Sequence, residues 1–446
     1  MLKLLIKQFK AIADESKAAF PGTNFKEWRL VVQEIVRFAR VHSPSPDARP
    51  LRYCALFDSH PSSRPYVTRF HAKKVLKFRD ALLTSYHKNE VKFAELTLDT
   101  FRMLQCLEWE PSGSFYQRSP VEPRENGAVT DQSITSGLID INLAAEMMDP
   151  ALPPNPKKAV LYRPSVPLLI SVVATMCEEL PPESVVLLYI SASGNTVQST
   201  SSQTESSSNS RKSSKNSGLS RHENYINTNG DTSQYFENCL SVGPSRSGGL
   251  NNLYPGDLIP FTRRPLFLII DSDKSDAFKV LHGAERGEKS ALFLSPLRPS
   301  FKNPGTDVTQ TGSQFTLFLT APIQAFCQLV GLVSSDKDLD CSDEADGIIS
   351  TAFAEWEVIL CTSTSLDLVW AQVLSDPFLR RLILRFIFCR AVLGLFCLQE
   401  HGDEYLPVCL PKLPDTFSPN SETVQPAIRR LAKLLKVGDC FRFSHS

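Results

Sequence analysis

An α/β fold, an open and mostly parallel sheet with flanking helices, is predicted for this 446-residue chain by three observations. Val185-Val-Leu-Leu-Tyr-Ile190 is β-branched and apolar on both faces, the character of a central parallel strand. Pro265-Leu-Phe-Leu-Ile-Ile270, Ser290-Ala-Leu-Phe-Leu294 and Phe315-Thr-Leu-Phe-Leu319 repeat that buried type. Helical stretches over 276–281 and 323–332 alternate with these segments, and such alternation gives a sheet covered on both faces.

Taken in order, residues 1–50 read as an N-terminal helical segment. Leu2, Leu5, Ile6, Phe9 and Ile12 recur at helical spacing, and so do Trp28, Val31, Val32, Ile35 and Val36. The pattern opens in mid-helix, so a helical partner upstream is expected to be missing and the chain reads as truncated. Residues 51–110 hold two short strands, 52–57 and 66–70, and an amphipathic helix over 93–109 with Phe93, Leu96, Phe101, Leu104 and Leu107 inward. Residues 111–157, rich in Pro, Ser and Gly, read as a flexible linker.

The best-patterned stretch is the α/β core over 158–340. Val160-Leu-Tyr162 is a short strand, and Ser165 caps a helix with Pro167 in its first turn, where a missing N–H costs little. That helix runs through Leu168, Val172 and Met176 to Pro181-Pro182. Next comes the 185–190 strand, completing a strand–helix–strand unit of the kind that is almost always a right-handed crossover. A long insertion over 195–252, dominated by Ser, Asn, Thr, Gly and Gln, cannot bury enough apolar surface to offset its ordering entropy, which predicts disorder. Beyond about residue 345 the pattern is helical only, over 348–361, 366–374, 378–398 and 426–436. This C-terminal helical region, 341–446, is expected to pack on the core.

Composition excludes some functions. The 48 basic residues match 48 acidic ones, which argues against a polyanion-binding surface as the main purpose, since counterion release needs clustered positive charge. The eleven cysteines are scattered with no CxxC pair, and those in apolar runs (Cys177, Cys327, Cys389) act as small hydrophobes. Reduced thiols in the cytosol or nucleus follow as the expectation. The apolar run 382–398 carries Arg385 and Arg390, so it reads as a buried core helix rather than a membrane span.

Ligands of open α/β sheets bind at the carboxyl ends of strands. One such end is Ser191-Ala-Ser193-Gly194, small enough for backbone amides to approach a phosphate, but no GxGxxG or GxxxxGK[ST] follows. Another is Asp271-Ser-Asp-Lys-Ser275, which resembles the D-x-S-x-S cation motif of von Willebrand A domains, with Asp273 in the central hydroxyl position. Capping of the next helix by Asp273, Ser275 or Asp276 is the plainer reading. Asp340-Cys-Ser-Asp-Glu344 matches the calcium end of lipoprotein-receptor repeats but lacks their disulfide framework. The eight histidines, His282 among them, form no HExxH, and there is no G-x-S-x-G elbow. No catalytic, cofactor-binding or metal residues are assigned, and no cofactor is expected.

Several blocks carry a family resemblance: Val91-Lys-Phe-Ala-Glu-Leu-Thr97, Leu161-Tyr-Arg-Pro164, Cys177-Glu-Glu-Leu-Pro-Pro182, Leu187-Leu-Tyr-Ile-Ser-Ala-Ser-Gly194, Tyr254-Pro-Gly-Asp-Leu-Ile-Pro-Phe-Thr-Arg263, Phe315-Thr-Leu-Phe-Leu319 and Leu384-Arg-Phe-Ile-Phe-Cys389. In this order they resemble the protein SCAI family (suppressor of cancer cell invasion). The resemblance implies a non-enzymatic transcriptional cofactor, a corepressor that binds the myocardin-related coactivator of serum response factor. It also implies a role in DNA double-strand-break repair through repair factors on chromatin. Protein partners are expected, without sequence-specific nucleic acid binding and without membrane association. The alternative is a metal- or nucleotide-binding α/β protein or enzyme using the strand ends near Ser193 and Asp271.

Overall fold

The computed structural model describes residues 75–87, 92–93, 96–109, 154–196, 238–244, 251–283, 290–298, 312–332, 340–396 and 402–443. In chain order the strands are β1 (Lys77–Tyr86), β2 (Lys92–Phe93), β3 (Leu96–Thr97), β4 (Lys157–Tyr162), β5 (Ser184–Ala192), β6 (Gly194–Thr196), β7 (Asn238–Ser241), β8 (Asn252–Leu253), β9 (Leu266–Asp271), β10 (Ala291–Leu294) and β11 (Val408–Leu410). The helices are α1 (Leu98–Cys106), α2 (Val166–Glu178), α3 (Pro255–Leu258), α4 (Gln314–Thr320), α5 (Pro322–Leu329), α6 (Asp340–Thr362), α7 (Leu368–Val373), α8 (Pro377–Leu395) and α9 (Gln425–Leu434).

The six-stranded sheet runs β11-β10-β9-β5-β1-β4, parallel except for β11. Ranked by sequence, its five parallel strands lie 2-1-3-4-5, the doubly wound order in which the winding reverses between the first and third strands. Here those are β1 and β5. Side chains alternate across the sheet: Val185, Leu187 and Tyr189 of β5 enter one core, and Val186, Leu188 and Ile190 enter the other. The first core is closed by α1 and by α4 to α9, the second by α2, the α3 region and the 3-10 helix Ser275–Leu281.

Several expectations need correction. Phe315-Thr-Leu-Phe-Leu319 is not a strand but lies in α4, whose N-cap Ser313 accepts from Thr316 N–H. A short apolar run has no periodicity to separate a buried strand from a buried helix, and here the cap decides. The helix expected over 93–109 begins only at Leu98, capped by Thr97, with β2 and β3 before it. Phe101 and Leu104 are half-buried, while Asp99 and Arg102 are buried. The region beyond 345 is not helical only, since β11 joins the sheet edge. The insertion is not wholly irregular: β6, β7 and β8 form a small antiparallel sheet using residues within 195–252. β1, which the sequence reading missed, sits inside the sheet between β5 and β4.

The 160–162 strand, the Ser165 cap and the Pro167 position appear as expected, and so do the strands at 185–190, 265–270 and 290–294. The buried stripe of α2 is Leu169, Val173 and Cys177, one residue on from the expected Leu168, Val172 and Met176. Helix α8 is the central core helix: Ile383, Phe386 and Val392 are inaccessible to solvent. Among the described residues no helix is long and apolar enough to cross a membrane. The expected helices over 1–50, the strands at 52–57 and 66–70, most of the linker over 111–157 and most of the insertion over 195–252 lie outside the described residues; Lys157, expected in the linker, already begins β4.

Candidate functional site at the carboxyl edge of the sheet

The reversal between β1 and β5 opens a crevice at their carboxyl ends, where bound groups sit in sheets of this order. His87, the residue after β1, fills it. Its Nε2 lies 2.9 Å from Ser191 Oγ and its Nδ1 3.1 Å from Ser193 Oγ. A neutral imidazole donates to one hydroxyl and accepts from the other. The pair of serines therefore fixes the ring and can pass a proton through it.

On the adjoining strand Asp271 pairs in register with Ser191. Its Oδ2 accepts from Thr316 Oγ1 at 2.6 Å, and Thr316 Oγ1 lies 2.8 Å from Tyr189 OH. The threonine proton goes to the carboxylate, so the phenol donates to the threonine oxygen. Burial pushes the Asp271 carboxyl up, opposed by its hydroxyl donors and by His87. Burial, reinforced by Asp99 and Asp271, holds the Tyr189 phenol well above its ordinary range, which keeps it a donor.

A second carboxylate closes the group. Asp99 Oδ1 lies 3.4 Å from the Arg102 guanidinium, and Oδ2 accepts from Ser313 N–H at 2.9 Å. Burial outweighs Arg102 and raises Asp99 to about 6. Gly312 lies against this pair with φ +74°, and a side chain there would collide with Asp99 and Arg102. The turn before α4 therefore requires glycine.

The residues singled out from sequence are brought close together but turned to different partners. Gly194 N–H donates to Asp273 Oδ1 at 2.7 Å, so the protein's own carboxylate stands where a phosphate would approach that amide. A side chain at 194 would collide with Lys274 and Asp273. Ser275 Oγ donates to the Ser295 carbonyl, and Ser272 N–H donates to Ser295 Oγ. The D-x-S-x-S oxygens therefore diverge: Asp271 to Thr316, Asp273 to Gly194, Ser275 to Ser295. Nor do Asp273, Ser275 or Asp276 cap the 3-10 helix, whose N-cap position is Lys274 with no side-chain cap. Among the described residues no group of three or more His, Cys, Asp or Glu is placed to hold a metal ion. Ser193 and Asp271 were visible in sequence. His87, Thr316, Asp99 and Arg102 were missed, Thr316 because its helix was read as a strand, Asp99 and Arg102 because the expected helix turned Phe101 and Leu104 inward instead.

Fold and crevice together define a doubly wound α/β protein with a helical second layer, its ligand-side edge tied up by its own side chains. The chain belongs to the SCAI family: the family described as Protein SCAI matches residues 1–399. It is 29% identical over 460 residues to Protein SCAI of Homo sapiens and likewise to that of Mus musculus, covering 99% of this chain and 66% of each relative. A Protein SCAI homolog of Dictyostelium discoideum is 24% identical over 487 residues, covering 81% of this chain and 59% of the relative. The chain thus spans just under two thirds of the length of its mammalian relatives.

Proposed function

We propose that this protein is a non-enzymatic regulator that works by binding other proteins, as a cofactor lowering coactivator-driven transcription of the serum-response-factor type. Family membership supports the class of protein. The observation that carries the non-enzymatic reading is the Asp273 carboxylate on the Gly194 amide: the backbone amide past the end of β5 that would receive an anion is taken from within. Residence in nucleus and cytoplasm, and partners among coactivators and chromatin or repair factors, belong to the same proposal.

The test is capture of a purified myocardin-related coactivator by the purified chain, together with a serum-response-factor reporter. A saturable complex and reduced reporter output are expected. Absence of both would overturn the reading. The competing reading, a metal- or nucleotide-binding protein using Ser193 and Asp271, requires the melting temperature to rise with magnesium, calcium or a nucleotide.

A further inference from the structure

Among the described residues, the β4 end of the sheet leaves apolar and hydrogen-bonding surface open. Among the described residues β4 is a terminal strand. Every one of its residues is half-buried or exposed, whereas β5 is buried throughout. A terminal strand presents a row of N–H and C=O groups without ladder partners. Helix α2, which follows, carries Glu178 as its only charge, yet buries only Leu169, Val173 and Cys177. Leu168 is 50% exposed and Tyr162, the last residue of β4, is 39% exposed. A helix of this composition is ordinarily covered on all sides.

The charge that β4 and the turn after it bring to this edge is positive, with Asp80 of β1 in register beside Lys157. Between residues 157 and 177 stand Lys157, Lys158 and Arg163 and no acidic residue. Lys158 is engaged by Glu108 at 3.5 Å. Among the described residues Arg163 has no carboxylate partner. Its guanidinium lies 5.5 Å from the Tyr86 ring centre and 5.2 Å from that of Tyr162. Its backbone is left-handed at φ 47°, directly before Pro164, a combination disfavoured for a residue with a side chain. Gly243 holds the turn, packed so closely on the Arg163 and Pro164 carbonyls that a Cβ would collide. Strain of this kind persists where the surroundings enforce it and gathers at binding sites.

We propose that the β4 edge receives an extended segment of a partner protein, acidic at both ends and apolar between, which adds as a further strand with its carboxylates on Lys157 and Arg163. Main-chain hydrogen bonds would supply affinity and the two cations selectivity. The inference rests on the protein-binding reading and gives it a surface. A second copy of this chain fits less well. Paired in parallel, Lys157 would face Lys157, and paired antiparallel, it would fall beside the copy's Arg163; like charges oppose both arrangements.

The probe is a fluorescein-labelled peptide of about eight residues, the span of β4 with one residue added at each end, with aspartates at the ends and alternating Val and Thr between. A charge-reversed peptide with lysine ends is the control. The full chain is expected to bind the acidic peptide by anisotropy and to slow amide exchange over 157–162. Arg163→Glu should weaken this binding about tenfold and remove the preference over the lysine-ended peptide. Lys157→Glu, at an exposed position, gives the same reading should the Arg163 variant fail to fold.

Equal binding of both peptides, no protection over 157–162, or indifference to both charge reversals would overturn the proposal. So would a dimer dispersed by Leu168→Glu in light scattering, which would assign the edge to a second copy. If the coactivator is captured but the peptide is not bound, this surface is wrong and the protein-binding reading stands. The opposite pair of results would sink the coactivator as the partner and leave the surface.

Discussion

Asp376 ties two distant parts of the chain together. Its Oδ1 accepts from Phe378 N–H and Leu379 N–H at the start of α8, and its Oδ2 accepts from Phe78 N–H in β1, at 3.0, 3.2 and 3.1 Å. Asp376→Ala would leave these donors without an acceptor and should cost about 3 kcal/mol by chemical denaturation; an unchanged midpoint would contradict the role. Burial raises this carboxyl from 3.8 to about 6 in spite of its donors. Between those values the native state holds a proton the unfolded chain has released. The group's contribution is therefore full below its unfolded pKa and lost as pH rises through its folded one. Asp376→Asn cannot titrate, so its stability relative to the unaltered protein should improve between about pH 4 and about pH 6, by up to about 3 kcal/mol. A constant difference across that range would show that Asp376 does not hold the proton. None of this was legible in sequence: Ser375-Asp376-Pro377 signals a helix start, but not the reach to β1.

The helical layer rests on a buried ion pair. Glu357 of α6 lies 2.9 Å from Arg380 Nε of α8, both almost wholly enclosed, and Arg380 also donates to the Leu374 carbonyl at the end of α7. Removing one partner leaves a buried charge, so Glu357→Ala should cost about 3–5 kcal/mol. An apolar replacement of both, Glu357→Leu with Arg380→Met, should recover most of that loss, because the desolvation penalty disappears with the charges. A double variant as unstable as the single one would show that the residues act through packing alone. Elements with strong two-sided patterning, β5, β9, β10 and α8, were readable because burial on both faces forces continuous apolar sequence. β1 was not, since Lys77, Arg79 and Asp80 interrupt its first half. α4 was misread because Phe315-Thr-Leu-Phe-Leu319 suits either state.

Across the whole molecule, the tract between β6 and β7 joins residues that already face one another. Thr196 pairs with Asn238 in an antiparallel ladder, so residues 197–237 can be replaced by an Asn-Gly turn that fits a two-residue hairpin. The shortened protein is expected to keep its melting temperature and its capture of the coactivator. Deletion of all of 195–252 would instead remove β7 and most of the small sheet against Ser193, and should be destabilising. The compositional boundary on which the insertion was drawn ignored β7 and β8, which are too short to show periodicity. The strand ends themselves were legible as the place to look for a site. What filled them was not, because His87 reaches Ser191 and Ser193, and Asp273 reaches Gly194, only through the fold. The central claim, regulation by protein binding with the carboxyl ends of the sheet tied up by the protein's own side chains, is tested most directly by titrating the purified coactivator into the purified chain with and without magnesium and nucleotide. The account predicts a saturable complex indifferent to both additives. A chain that forms no complex but melts at a higher temperature with nucleotide or magnesium would contradict it.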